Sequence, residues 1–200
     1  NLYELRHYGE LVLPDEDVSR MLARKYLGEY TVRLDGRWRL RWHKDAALEG
    51  RTPTGEIRIS HEEFAVDLME GARDLAERSP DWWRQIGAAL VHDGKIILGA
   101  YNRHYPSEQI AYILGDPRSN FEAGQHIEVS VAGHAEATIF ALAARRGICT
   151  EGCDMFVTTF PCIPCATLCA LSGLRRLYYA EGYSQIHGAD TLRAAGVEIV

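Results

Sequence analysis

Long apolar runs are missing from this sequence. No stretch approaches the roughly 18 consecutive apolar side chains of a membrane helix, so no transmembrane anchor is expected. The opening residues, NLYELRHYGE, hold no basic segment followed by an apolar one, so no secretory signal is expected there. The chain begins with Asn1 and not Met, which leaves room for sequence before it. Excess positive charge is missing too. Against 22 Lys and Arg stand 28 Asp and Glu, a net charge of −6, and a dedicated nucleic-acid coat needs the opposite balance. The first 148 residues contain no cysteine. All five, Cys149, Cys153, Cys162, Cys165 and Cys169, fall in one short stretch, and an odd, crowded set is not the disulfide framework of a secreted domain. Reduced thiols in the cytoplasm, available to a metal, are the expectation. Internal repeats and low-complexity tracts are absent.

What is present is the composition of an ordinary globular chain. Hydrophobic residues make up 46% and charged residues 25% of the 200, which excludes disorder, collagen and coiled coil as the main architecture. The length suits one domain with a small appendage. Gly, Pro and Thr in EGRTPTGE mark a boundary near 50–55, giving an appendage over 1–55 and a main domain over 56–200. The first carries a net +1 and the second −7.

In the appendage, residues 15–25 read as a short helix entered after Pro14. EYTVRL and RWRLRW flank Asp35-Gly36, a hairpin signal because both turn residues must tolerate positive φ. Arg37, Arg39 and Arg41 share one face of the second strand, and Trp38, Leu40 and Trp42 share the other. The arginine row reads better as a solvated face than as a nucleic-acid surface. The tryptophan face should be covered, by the main domain or by a neighbouring subunit.

In the main domain, Ser60 is expected to cap a helix running to about Arg78, with Phe64, Leu68, Ala72 and Leu75 on its buried face. Residues 86–90 and 95–101 read as strands joined by a turn at His92-Asp93-Gly94. The long connection over 105–130 is given a short strand at 110–114. Helices over 134–146, 162–172 and 189–195 then alternate with strands over 154–159, 176–180 and 197–200, with Gly147 and Gly173 closing the first two helices. That alternation argues for a layered α/β sheet.

The chemistry concentrates in HAE at 134–136 and PCIPC at 161–165. Cys162 and Cys165, three apart at a strand-to-helix junction, bring two sulfurs to one point, and a helix N-terminus favours thiolates. With His134 at the start of another helix, one nitrogen and two sulfurs suit tetrahedral zinc with one position left for water. Glu136 is near enough to take that water's proton. A structural zinc knot or a redox pair would explain neither Glu136 nor the proline before each of Cys162 and Cys165. Cys169, one turn after Cys165, is expected to be a buried small apolar residue and not a fourth ligand. No second metal site is expected at Cys149 and Cys153.

With those residues in place, the chain resembles the cytidine and deoxycytidylate deaminase superfamily, and within it the dCMP deaminase branch. The resemblance covers about residues 58–200. It rests on RQIGAALVHDGKIILGAYN, HAE, CDMFVTTFPCIPCATLCALSGLRRLYYAEGY and ADTLRAAGVEI. It implies a three-layer fold, a central five-stranded mixed sheet flanked by helices, with zinc between two helix N-termini. It implies His134, Cys162 and Cys165 as ligands and Glu136 as the proton shuttle. Asn102 would meet the sugar, and the backbone of Ala135 and Pro161 the base. Tyr183 would help close the pocket. The implied reaction is hydrolytic deamination of a cytosine nucleotide or nucleoside, dCMP to dUMP in the first place, with release of ammonia. Here the family's GYNG-x-P reads AYNRHYP, so Arg103 replaces a glycine and faces either a phosphate or water. Thr138 stands where the branch often has Asn.

Three alternatives remain beside this reading. One is a deaminase of another base or of a pathway-specific substrate. Another is a transfer-RNA adenosine deaminase, which the net −7 over 56–200 and Pro164 before the second cysteine argue against. The last is a zinc-containing nucleotide sensor, for which Glu136 would have no use. The partners expected are a small nucleotide or nucleoside and further copies of the chain.

Overall fold

The structure is a computed structural model that describes residues 5, 7–15, 17–35, 58–81, 84–115, 131–183 and 187–200. Among these, no helix is long and apolar enough to cross a membrane.

The N-terminal unit departs from expectation. Strand β1 (Leu11–Pro14) leads into helix α1 (Asp17–Tyr26) and strand β2 (Val32–Asp35). The two strands pair in parallel, Leu11 opposite Val32 and Pro14 opposite Asp35. The helix is where the sequence puts it, within two residues at its start and one at its end. The four-residue strand before it is not foreseen, because Pro14 reads as a helix entrance. Pro is also tolerated at the end of a strand that has a free edge, which is how it is used here. Gly36, the arginine row and the tryptophan face lie outside the described residues.

Five strands build the main sheet, in the order β4 (Lys95–Tyr101), β3 (Gly87–His92), β7 (Asp154–Thr159), β8 (Arg176–Glu181) and β9 (Glu198–Ile199). Strands β3 and β4 form the expected hairpin. Its turn holds Asp93 at φ 49° and Gly94 at φ 71°, the two positive values a tight hairpin turn demands. Strand β7 runs antiparallel to β3, while β8 and β9 follow β7 in parallel. The sheet is therefore mixed, and all of β7 is buried.

Alternation along the strands divides the core in two. Ala88, Leu90, Met155, Val157 and Leu177 face one layer, which holds α4 (Ala135–Arg146), α5 (Ile163–Leu171) and α6 (Gly188–Ala194). Ala89, Val91, Phe156 and Tyr178 face the other, with α2 (Glu63–Ala76). Across β7 and β8 the rings of Phe156 and Tyr178 stack at 4.2 Å.

Helix α2 corrects the sequence reading in two ways. Its N-cap is Glu62, and the Ser60 hydroxyl accepts a hydrogen bond from the Glu62 N–H at 3.4 Å. Its buried residues are Ala65, Met69, Ala72 and Ala76, with Leu68 and Leu75 partly covered, while Phe64 is exposed. The buried stripe is thus rotated by about one residue. The reason is proximity: a Cβ on Gly87 would stand 1.9 Å from the Ala72 carbonyl oxygen, so the helix backbone rests almost on the strand. At that closest approach the helix carries Ala72 and Ala76, small residues that a pattern of large apolar side chains does not mark.

The 105–130 segment differs as well. Residues 110–114 form helix α3 (Ile110–Leu114), not a strand. Five apolar or aromatic residues in a row carry no period that separates the two. The chain leaves and returns through a two-residue ladder, β5 (Arg103–His104) against β6 (Ala132–Gly133), antiparallel, with Arg103 opposite Gly133 and His104 opposite Ala132.

Candidate active site

Helices α4 and α5 begin side by side, and each spends its N-cap position in an unusual way. The caps are His134 and Cys162, both with extended backbone, and neither side chain bonds to its helix. A capping Ser or Asp is commonly worth about 1 kcal/mol. Here that contribution is forgone and two donor atoms are left pointing outward from two helix starts. Cys165 adds the third, on the first turn of α5. Pro164 sits in that first turn, where its missing N–H costs nothing.

The three donors converge. His134 Nδ1 lies 3.3 Å from Cys162 Sγ and 3.3 Å from Cys165 Sγ. All three ligand atoms lie within 4.8 Å of one another, the only such group of three among the described residues. Tetrahedral zinc, with Zn–S near 2.3 Å and Zn–N near 2.0–2.1 Å, places sulfur and nitrogen about 3.6 Å apart. The donor set and its spacing fit zinc. A hydrogen bond from Cys165 holds the Cys162 thiol below its usual range, and the same bond, with burial, pushes Cys165 up.

Glu136, on the first turn of α4, is 2% exposed. Its Oε2 is buried and has no hydrogen-bond partner among the described residues. Such an atom is costly in a folded chain unless a ligand completes it. Burial, and then the neighbouring Cys162 sulfur, raise the Glu136 pKa to about 7. A carboxyl poised there can both take and return a proton near neutral pH. Cys169 is fully buried in the helical layer of the core, as expected, and outside the donor cluster.

A sequence profile of the cytidine and deoxycytidylate deaminase zinc-binding region matches residues 62–181. The chain belongs to this family. Among its relatives, ComE operon protein 2 of Bacillus subtilis is 29% identical over 145 residues, 71% of each chain. The deoxycytidylate deaminase of enterobacteria phage T4 is 30% identical over 152 residues, covering 58% of this chain and 78% of its own. A dCMP deaminase from cyanophage S-TIM5, solved in complex with dCMP and dUMP, matches 72% of this chain and 98% of its own with TM-score 0.56 and 22% identity. The protein is a deaminase of the hydrolase class, with the cytidine-deaminase-like α/β fold.

The remaining residues singled out in the sequence of this deaminase are held in different ways. Ala135 and Pro161 are buried at the two helix starts. Asn102 is buried between β4 and β5, and its carboxamide is held at both ends. It accepts from the Ile86 N–H at 2.7 Å and donates to the Arg84 carbonyl at 3.0 Å. Arg103 is half exposed, pairs with Glu108 at 2.8 Å and lies over the Tyr101 ring. The Arg84 guanidinium covers the Tyr183 ring at 5.0 Å. Tyr179 packs edge-on against Phe160. Thr138 turns back, its hydroxyl donating to the His134 carbonyl at 2.8 Å.

Sequence reasoning passed over a buried polar knot beside Asn102. It is made of Ser79, Asp81 and His104, read only as a helix break and as part of AYNRHYP. The one available signal was the change of that motif itself, which puts His104 two residues after Asn102.

Proposed function

We propose that this deaminase hydrolyses free cytosine nucleotides, dCMP to dUMP first among them, with zinc held by His134 Nδ1, Cys162 Sγ and Cys165 Sγ. The observation that carries the chemistry is Glu136: a buried carboxyl with an unpartnered oxygen, two residues after the donor His134 on the first turn of α4. The substrate assignment is supported by relatives that are themselves deoxycytidylate deaminases.

When bound, zinc supplies Lewis-acid activation of a water molecule. Glu136 holds and moves the proton. Its carboxylate takes one from the attacking water as that oxygen bonds C4, gives it to ring nitrogen N3, and later moves the oxygen's remaining proton to the departing amino group. The C4–N bond breaks, ammonia leaves and the base becomes uracil. The backbone at Ala135 and Pro161 flanks the base, and Asn102 is assigned to the sugar. Arg103 is assigned to a phosphate, which would have to compete with Glu108 for it. Tyr183 closes the pocket. The chain is taken as one subunit of a homo-oligomer, supported by exposed Ile163, Leu168 and Leu171 on the outer side of α5.

The test is ammonia release by zinc-loaded protein from cytosine, cytidine, deoxycytidine, CMP, dCMP, dCTP and guanine, with products identified by mass. Turnover of dCMP above the rest is expected. Preference for a free base or an unphosphorylated nucleoside would overturn the nucleotide assignment.

A further inference from the structure

Asp81 and His104 form a pair that the reaction scheme does not use. Both are buried, at 4% exposure each. His104 Nε2 lies 3.3 Å from Asp81 Oδ2, and its Nδ1 lies 3.1 Å from the Glu108 carbonyl oxygen. A carbonyl only accepts, so Nδ1 carries a hydrogen. Nε2 then meets a carboxyl that either accepts from an imidazolium or donates to a neutral ring. Burying such a pair costs desolvation, and removing one partner leaves the other buried without its match.

Two short routes lead from the pair to the site. The first runs through the strap that holds Asn102. The Asp81 N–H donates to Ser79 Oγ at 3.2 Å, and the Ser79 hydroxyl donates to the Asn102 carbonyl at 2.8 Å. Asp81 Oδ1 accepts from the Arg84 N–H at 3.3 Å, and the Arg84 carbonyl accepts from the Asn102 carboxamide. The second route runs through the two-residue ladder. His104 stands opposite Ala132, Arg103 opposite Gly133, and the Tyr105 N–H donates to the Val131 carbonyl at 2.9 Å. The next residue after Gly133 is His134. The ladder is tightly packed, since a Cβ on Gly133 would stand 2.6 Å from the Tyr105 ring.

We infer that Asp81 and His104 are positioning residues, one buried device that sets Asn102 and His134 together. Substrate contact and metal ligand come from segments more than thirty residues apart, and this pair fixes their relative placement. The inference rests on His134 being a zinc ligand, as proposed above.

The experiment compares the full chain with Asp81→Asn, His104→Gln and the double variant. Three readings are taken: zinc retained against a chelator, the absorption spectrum of the cobalt-substituted protein, and kcat and KM for dCMP. Outer-shell support of a ligand is commonly worth 10–100-fold. Each single variant should lose about tenfold or more in zinc retention, alter the cobalt spectrum and raise KM. The double variant should be little worse than either single one, because both break one device. A merely structural role would lower the unfolding temperature and leave the cobalt spectrum and KM of the folded protein unchanged. That result, or additive losses, overturns the inference. Asp81→Asn keeps shape and size, so it decides the matter should His104→Gln not fold. A wild-type chain that holds no zinc would overturn the site assignment and this inference with it. Zinc in the wild type with unaltered variants overturns this inference alone.

Discussion

Glu136 sits where a carboxylate is expensive, and its placement explains why an amide cannot replace it. Glutamine has the same shape and keeps the buried contacts, but it cannot move a proton. Glu136→Gln is therefore expected to retain zinc while ammonia release falls by about 10²–10⁴-fold; metal analysis and a steady-state assay check both halves. Asp154 shows the opposite electrostatics. Burial alone would raise its pKa, but Arg175 and Arg176 each grip it with two hydrogen bonds of 2.8–3.2 Å and hold it below the usual carboxylate range. A depressed carboxyl stabilises the fold above its unfolded value of about 3.9, and that contribution is lost as pH falls through the folded value. Asp154→Asn should cost about 1–3 kcal/mol at neutral pH. Its unfolding temperature should also fall less steeply than that of the wild type below about pH 4, as thermal melts across that range would read. At this scale the sequence is legible where chemistry needs a fixed local spacing. Cys162 and Cys165 stand three apart and Glu136 two from His134, so the donor set is visible before folding. Asp81 and His104 are 23 apart and share no pattern; only the β3–β4 hairpin and the ladder after it bring them together.

Elements tell a similar story with different limits. The β3–β4 hairpin, the Gly147 and Gly173 helix ends and the alternation after residue 134 are local signals, and the structure follows them. The buried face of α2 is not local. It depends on how near the sheet lies, and that distance is set by Gly87 on another element. Gly87→Ala should force the α2 backbone away from β3 at about 1–3 kcal/mol. An unfolding temperature lower by several degrees, with α4 and α5 still binding metal, is the expected pattern. An unchanged melt would mean that α2 does not rest on the strand as described. Strand β1 and helix α3 escaped for a related reason. Each is four or five residues long, too short for a period to declare itself, and each is decided by what it pairs with or packs on.

For the whole molecule, the telling fact is that the donor cluster belongs to no single piece of chain. His134 and Cys162 are 28 residues apart and open two different helices, with Gly147 and all of β7 between them. A bound ion would work as a reversible clasp, fastening the mouth of that loop much as a cross-link does. Stripping the metal with a chelator should lower the unfolding temperature by about 10 °C at zinc a thousandfold above its dissociation constant, and adding zinc back should restore it. Amide exchange should quicken first at the starts of α4 and α5. The tie between catalysis and durability is then direct. In a cell short of zinc the chain would lose its chemistry and its resistance to proteolysis together, so the amount of enzyme would follow the supply of its ion.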